Sequence, residues 1–407
     1  MHRDLSSLAL NLPTVAGRLE RFTLSVPRSF PLRPLHPWNR IAYAAAHVVA
    51  DPLSSADPWL AAAIDWDRTL AYREHLWRLG FGVAEAMDTA QRGMGLDWGR
   101  SLELIGRSLE AARAFSAGPE GAAGQARGKV AQVACGAGTD HLAPSAGLSL
   151  AAVIAAYEHQ IEAIEKLGGR IILMASRALA ACARSPDDYG AVYDHLLSQV
   201  REPVIIHWLG DVFDPALAGY WGHADPMAAM TVAVDVLNRN AAKIDGVKIS
   251  LLDRDKEVAM RRRLAPGIRM YTGDDFNFAD LIAGDEQGYS DALLGIFDSI
   301  APAASAALSA LAGGDRTTFD ALLGPTVPLS RHIFAAPTRF YKTGVVFMAW
   351  LNGHQDHFVM VGGQQSARNV LHFAELFRLA DAAGLLSDPD RACHRLAHLL
   401  AVHGIPA

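Results

Sequence analysis

The sequence predicts an α/β protein built on a (β/α)8 barrel, and three features of the chain support this fold class. Short apolar runs alternate eight times with helix-period segments between residues 41 and 302, the pattern of parallel strands covered on both faces. Eight such units over about 260 residues match a closed barrel. After residue 302 only helical periodicity remains. An open doubly wound sheet is the alternative, but no GxGxxG motif follows the first run.

Each predicted strand is a short run of apolar and small residues, too short for a barrel helix. Amphipathic segments such as DWDRTLAYREHLWRLG and DPMAAMTVAVDVLNRNAAK separate these runs and predict the covering helices. In chain order, the predicted strands are IAYAAAHVVA from Ile41, GFGVAEAM from Gly80, VAQVACG from Val130, RIILMAS from Arg170, PVIIHWL from Pro203, IDGVKISL from Ile244, GIRMYTG from Gly267 and YSDALLGI from Tyr289.

These patterns divide the chain into three parts. Residues 1–39 are proline-rich and form a predicted N-terminal arm, in which AGRLERFTLSV alternates like a short strand pair. Residues 40–302 form the predicted barrel. Residues 303–407 form a predicted helical extension packed on the barrel. Its long apolar helices are suited to cover a subunit interface, so we expect a homo-oligomer.

Composition excludes several classes of protein. Of 407 residues, 51% are hydrophobic and 20% are charged, which predicts a large folded core. A net charge of −6 disfavours a nucleic-acid partner. The 3 cysteines show no CxxC spacing, so neither a disulfide framework nor a zinc ribbon is expected. No membrane-spanning run or secretory signal is evident, and we expect a cytoplasmic protein without a membrane partner.

Polar residues concentrate where the predicted strands end. In this type of barrel the active site lies at the carboxyl ends of the strands, which share one face. A structural role is the alternative for each residue, because loops are polar in any case. The residues selected on this basis are His47, Glu85, Asp88, Ser176, Arg177, His207, Trp208, Lys248, Asp274, Asp275 and Asn277.

Lys248 is the most informative of these residues. The chain has only six lysines, and this one lies inside the apolar strand IDGVKISL. Burial of an ammonium group lowers its pKa, and a neutral amine can attack a carbonyl carbon. The alternative is a structural lysine paired with a carboxylate from a neighbouring strand. Another lysine, Lys342 in FYKTG, is expected to belong to a packed helix.

The sequence resembles the dihydrodipicolinate synthase / N-acetylneuraminate lyase superfamily of Schiff-base aldolases. It is more closely similar to a bacterial family of unknown function at the edge of that superfamily. The resemblance spans residues 41–385 and implies a Schiff-base role for Lys248. The matching segments are AYEHQIEAIEKLGGRIILMAS, IDGVKISL, YTGDDFNFADLIAGDEQGYSDALLGIFDSIAP and FYKTGVVFMAWLNG.

The chain also departs from the superfamily pattern. The Thr-Thr-Gly-Glu type turn that grips a 2-oxo acid carboxylate is replaced by GVAEAMDT, which keeps Glu85 but not the paired hydroxyls. Ser176-Arg177 stands where a proton-shuttling Tyr is expected, and His207-Trp208 stands where Tyr-Asn is common. The resemblance therefore implies the Schiff-base lysine but not pyruvate as the substrate. Arg177 retains the capacity to hold a carboxylate.

Three functions follow from these observations. The first is a cofactor-free lyase or aldolase acting on a small polyhydroxylated keto compound, such as a sugar-acid or oxidised-sugar derivative. The second is a barrel isomerase, epimerase or lyase that binds a divalent metal ion through His47, Glu85 and His207. The third is a non-catalytic barrel that binds a small ligand or a partner protein.

In the first hypothesis, Lys248 forms the imine with a small-molecule carbonyl substrate. His207, Glu85 and Asp274 are the expected proton carriers. The residues expected to bind the substrate are Arg177, Ser176, His47, Asp88, Trp208, Asp275 and Asn277.

Overall fold

The computed structural model describes residues 9–119, 121 and 131–406. Within this part of the chain, a small antiparallel sheet precedes a closed parallel barrel, and helices follow the barrel. Val130, with which the third predicted strand begins, lies outside the described residues. So do the first eight residues of the predicted N-terminal arm.

The start of the described chain forms a hairpin that contacts the C-terminal helices. Strands β1 (Ala9–Pro13) and β2 (Leu19–Thr23) pair antiparallel; only β2 lies in the segment AGRLERFTLSV that was expected to hold the strand pair, and its partner precedes that segment. Just beyond β2, the backbone N–H of Ser25 donates to the carboxylate of Asp381 at 3.0 Å. The arm therefore packs on the helical extension.

The barrel confirms the fold class predicted from the sequence. Eight described strands lie parallel, and the last strand pairs with the first, Ala292 opposite Ala42, to close the ring. Closure leaves no free sheet edge in the barrel. The barrel strands are β3 (Ala42–Ala45), β4 (Gly82–Glu85), β5 (Val133–Ala137), β6 (Arg170–Met174), β7 (Val204–Leu209), β8 (Ile244–Ser250), β9 (Arg269–Thr272) and β10 (Asp291–Leu294).

The amino-terminal end of the barrel interior is filled by two tyrosine rings. Tyr43 and Tyr271 meet edge to face with ring centroids 6.2 Å apart. Each ring occupies the space left by a glycine on the strand next to its own. A Cβ at Gly82 would lie 2.5 Å from the Tyr43 ring, and one at Gly246 would lie 2.6 Å from the Tyr271 ring. The barrel is therefore packed solid at this end, and a cavity is possible only at the other.

The helices that cover the barrel begin at capping side chains. Asp65, Asp97, Ser149 and Asp225 each accept a hydrogen bond from the backbone N–H three residues later. These caps fix the ends of the loops that surround the barrel mouth. The helices of this region are α1 (Trp66–Arg78), α2 (Trp98–Ala117), α3 (Leu150–Lys166), α4 (Arg177–Cys182), α5 (Pro186–Gln199), α6 (Pro226–Arg239), α7 (Arg254–Arg261), α8 (Phe278–Ala283) and α9 (Ile296–Ala312).

The helical extension folds back over the carboxyl end of the barrel. At its centre, Tyr341 OH lies 2.7 Å from Thr89 Oγ1, which follows strand β4. No helix within residues 9–119, 121 and 131–406 is both long and apolar enough to cross a lipid bilayer. The helices of the extension are α10 (Arg316–Leu323), α11 (Val327–Ile333), α12 (Tyr341–Leu351), α13 (Val370–Ala382) and α14 (Pro389–Val402).

The tyrosine packing gives a first prediction. Gly246→Ala should destabilise the protein by about 1–3 kcal/mol, because the new methyl group meets the Tyr271 ring and the Arg269 carbonyl inside a packed wall. The midpoint of urea unfolding measures this loss. Gly324→Ala is the control, since no atom lies within 4 Å of a Cβ at that position. Equal midpoints for the two variants would contradict the packing described.

Candidate active site

A cavity of about 140 Å³ opens at the carboxyl end of the barrel. Strand ends and βα loops form its floor and sides, and the start of helix α12 forms part of its roof. This is the face on which barrel proteins of this type carry their active sites. Its titratable lining residues are Asp88, Arg92, Asp140, Arg177, His207, Asp214, Arg339 and Lys342.

Lys248 lies inside the barrel wall, next to this cavity. It is opposite His207 in the β7–β8 register, and His207 lines the cavity. Its neighbours Val247 and Ile249 belong to the core between strands and helices, so alternation directs Lys248 inward. Only 5% of the residue is exposed. Among residues 9–119, 121 and 131–406, its ammonium group has no hydrogen bond or ion pair within 4.0 Å.

The electrostatic environment makes Lys248 easier to deprotonate than an exposed lysine. Burial lowers the pKa of Lys248, and the more distant carboxylates of Asp88 and Asp275 only partly oppose this effect. A neutral lysine amine is a nucleophile, whereas its ammonium form is not. The environment of Lys248 therefore matches the requirement for imine formation.

His207 is a neutral imidazole beside this amine. Burial, together with repulsion from Lys248, lowers the pKa of His207 to about 3. Its Nε2 lies 3.3 Å from Ser250 Oγ on the adjacent strand. A neutral imidazole has one nitrogen that accepts a hydrogen bond and one that donates a hydrogen bond. His207 can therefore hydrogen-bond to a group bound in the cavity.

Asp88 faces both buried lysines from the loop after strand β4. Burial opposes ionisation of this carboxyl, but His207 and the two lysines more than compensate, so the pKa of Asp88 lies below its usual value. The loop has a strained backbone, with Ala86 at φ 52° and Gln91 at φ 63° in the left-handed region. Such strain is common where a loop must place one side chain accurately.

Asp275 and Asp274 follow strand β9 but have different surroundings. Asp275 Oδ1 accepts from the Ile296 N–H at 3.0 Å, and burial raises the pKa of Asp275 to about 7 despite the attraction of Lys248. Asp274 accepts from the N–H groups of Phe276 and Asn277, at 2.8 and 3.0 Å, and from the Asn277 side chain at 2.8 Å. Asp274 and Asn277 therefore hold the loop, and Asp275 faces the amine.

Arg177 and Ser176 begin helix α4 at the edge of the cavity. Arg177 lines the cavity and forms an ion pair with Asp214. Ser176 caps the helix by accepting from the Leu179 N–H at 2.9 Å, and its hydroxyl lies 2.6 Å from Thr139 Oγ1. Arg177 thus lies at the cavity edge with its guanidinium paired to Asp214, and Ser176 serves the helix.

The structure places Glu85 and Trp208 on the outer side of the barrel wall. Both alternate with inward residues, Ala84 and His207. Glu85 is fully buried against Arg73, with two N···O distances of 2.9 Å. Trp208 packs edge to face with a second indole in the helix layer, with ring centroids 6.3 Å apart. Neither side chain therefore lies at the barrel mouth, contrary to expectation.

His47 is also outside the cavity. Its Nδ1 lies 2.7 Å from the Asp298 carboxylate, and its ring packs on Tyr72 at 4.5 Å, between the barrel and the helices. The metal ligands considered for the sequence, His47, Glu85 and His207, are thus distributed over both sides of the wall. Among the described residues, no group of three or more His, Cys, Asp or Glu side chains is arranged to hold a metal ion.

Lys342 is a cavity residue that the sequence analysis assigned only to a packed helix. It is in the first turn of helix α12 and is 3% exposed. Burial lowers the pKa of Lys342 to about 8. Its sequence signal was the same as that of Lys248, a rare lysine in an apolar segment. The reach of its side chain into the mouth depends on how the extension packs, which the sequence pattern does not specify.

The fold and the cavity define a (β/α)8-barrel protein with a buried amine on the sixth barrel strand that forms no ion pair within the described part of the chain. The chain belongs to the family described as protein of unknown function DUF993, whose model matches residues 10–405. No protein of curated function matches the chain in sequence.

Solved structures with the same fold belong to the dihydrodipicolinate synthase family. The E. coli K12 prophage protein YagE, solved with pyruvate, has 13% identity and a TM-score of 0.62, over 85% of this chain and 99% of its own. The lysine-bound enzyme from Cyanidioschyzon merolae has 15% identity and a TM-score of 0.59, over 86% and 100%. These matches confirm the resemblance at the level of the fold.

The buried ion pair gives a second prediction. Glu85→Gln should lower the free energy of unfolding by about 3–5 kcal/mol, because it leaves the Arg73 guanidinium buried without a counter-charge. Glu74→Gln, which removes a surface partner of Arg78, should cost less than about 1 kcal/mol. Chemical unfolding monitored by circular dichroism measures both. A fully stable Glu85→Gln variant would contradict the structural role.

Asp275 gives a prediction on pH. Between about pH 4 and 7 the folded protein keeps a proton on Asp275 that the unfolded chain has released, so this group's contribution to stability falls as pH rises. Asp275→Asn should remove a slope of about 1 kcal/mol per pH unit in that interval. The check is the unfolding free energy from pH 5 to 6.5. Asp255→Asn, on the surface, is the control; equal slopes in all three proteins would refute the assignment.

Proposed function

We propose that this protein is a Schiff-base lyase or aldolase that acts on a small polyhydroxylated keto compound. The observation that carries the proposal is the amine of Lys248, which is buried, unpaired among the described residues and adjacent to a mouth cavity. A lysine in this state is costly for folding and is suited to attack a carbonyl carbon. No cofactor is required, because the imine itself withdraws electrons.

The first stage of the proposed reaction forms the imine. The neutral Lys248 amine adds to the substrate carbonyl, and the resulting carbinolamine loses water to give an iminium ion. His207 accepts and returns the protons that this exchange requires. The Asp88 carboxylate faces Lys248 and stabilises the positive iminium charge.

The second stage breaks a bond. A base removes the proton of a hydroxyl group on the β-carbon, the β-carbon becomes a carbonyl, and the electron pair of the Cα–Cβ bond flows into the iminium. This gives an enamine and releases the β-carbon fragment as a carbonyl compound. Protonation of the enamine and addition of water then free the second fragment and restore the amine. Asp275, which exchanges protons near neutral pH, and His207 are the nearest proton carriers. Glu85 and Asp274 have no part in these steps, because their oxygens are held by protein donors.

Polar groups around the cavity support the substrate class. Arg177 is placed to hold an acidic group, and Thr139 and Asp140 offer partners for hydroxyl groups. A cytoplasmic homo-oligomer remains part of the proposal on the sequence argument alone, since helix α12, the most apolar of the extension, is buried within this chain. The divalent-metal enzyme is not proposed, since its expected ligands lie on different sides of the barrel wall.

The test is covalent trapping. Wild-type protein incubated with pyruvate or a keto-sugar acid and then borohydride should gain the mass of the reduced substrate on the peptide that contains Lys248. Lys248→Ala should lose the adduct and the activity. Lys248→Arg should not restore them, because a guanidinium stays protonated.

Lys243→Ala is the matched control, because the Lys243 ammonium donates to the Val200 carbonyl outside the barrel. It should keep both the adduct and the activity. Full turnover by Lys248→Ala would exclude the imine mechanism. Loss of activity with chelators and no effect of borohydride would favour metal catalysis instead.

A further inference from the structure

The second buried amine of the cavity, Lys342, has no role in the imine steps. It is contributed by the helical extension, whereas Lys248 comes from the barrel wall. Its Nζ has one hydrogen-bond acceptor among the described residues, the Met94 sulfur at 3.6 Å, and no ion pair. A thioether is a weak acceptor and cannot compensate a buried ammonium. Among the described residues no carboxylate forms an ion pair with Lys342, and the Asp88 carboxylate acts on it only from farther away.

The charges that line the cavity leave an excess of positive charge near Lys342. Two arginines are already paired, Arg92 with Asp140 at 2.7 Å and Arg177 with Asp214. The Asp88 carboxylate is shared, because it faces both Lys248 and Lys342. Arg339, at the cavity rim, adds a further positive charge. The lining is therefore ready to receive one anionic group.

Helix geometry strengthens this argument. Lys342 is in the first turn of helix α12, where the helix dipole disfavours a positive side chain. The same dipole favours an anion at this end. Burial, the dipole and the lack of a carboxylate partner all destabilise the free ammonium, and a bound anion would relieve all three.

We propose that Lys342 binds an anionic group, a carboxylate or a phosphate, at the end of the substrate remote from the carbonyl carbon attacked by Lys248. This inference rests on the proposed function and specifies its substrate as an anionic keto compound. Lys342 acts as a point charge that recognises the anion, and Arg177 lies close enough to influence it electrostatically. The two amines thus hold the two ends of one molecule across the cavity.

The experiment compares matched carbonyl probes. Levulinate carries a carboxylate remote from its ketone, and pentan-2-one is its neutral counterpart. Dihydroxyacetone phosphate and dihydroxyacetone form the second pair. The readout is the probe concentration that gives half-maximal borohydride trapping at Lys248. Wild-type protein should trap at least one anionic probe at a concentration about tenfold lower than its neutral partner. A preference in the levulinate pair indicates that the site binds a carboxylate, and a preference in the dihydroxyacetone phosphate pair indicates that it binds a phosphate.

Lys342→Met keeps the length of the side chain and removes its charge. It should raise the half-maximal concentration of the preferred anionic probe about tenfold and leave the neutral probe unchanged. Lys342→Arg should retain part of the preference. Lys243→Met is the matched control, since it removes one lysine charge far from the cavity. Three outcomes would overturn the proposal. Lys342→Met could affect the trapping of both members of a pair equally, it could affect neither, or borohydride could place the adduct on Lys342 itself.

A second measurement separates this inference from the imine mechanism. Inorganic phosphate and acetate are titrated calorimetrically into Lys248→Ala and into the Lys248→Ala, Lys342→Met double variant. If no probe is trapped but an anion binds Lys248→Ala and not the double variant, the anion site at Lys342 is confirmed and the imine mechanism is wrong. If no probe is trapped and neither variant binds an anion, both proposals are wrong.

Discussion

Strand alternation within a closed barrel is the constraint on which the rest of the structure depends. Because the sheet closes on itself, each strand residue faces either the filled interior or the helix layer. On β7 and β8 this rule turns His207 and Lys248 inward. On β4 it turns Glu85 outward, where Arg73 neutralises it. One geometric rule therefore separates the reactive groups from the structural ones.

The two ends of the barrel interior have opposite properties. At the amino-terminal end, Tyr43 and Tyr271 occupy the space left by two glycines. At the carboxyl end, the interior holds an amine and an imidazole, and a cavity lies beside them. Tight packing at the amino-terminal end supports the strands that hold these polar groups in position. The energetic cost of burying them is offset by the remainder of the core.

The helical extension contributes to the candidate site as well as to the core. Tyr341 contacts Thr89 across the mouth, and Lys342 next to it brings a second amine into the cavity. The site is therefore assembled from segments more than 250 residues apart in sequence, since the Thr89–Tyr341 pair spans 252 positions.

The sequence by itself determined the barrel and its eight strands, because period-2 and period-3.6 patterns encode which local structure forms and which face is buried. It placed Lys248 inside a barrel strand without deciding which side of the wall the side chain faces, and it wrongly placed Glu85 at the barrel mouth. Only the tertiary structure decided that His47 pairs with Asp298 and that Lys342 enters the mouth. Both depend on how distant helices pack on the barrel, and a local sequence pattern carries no information on that packing.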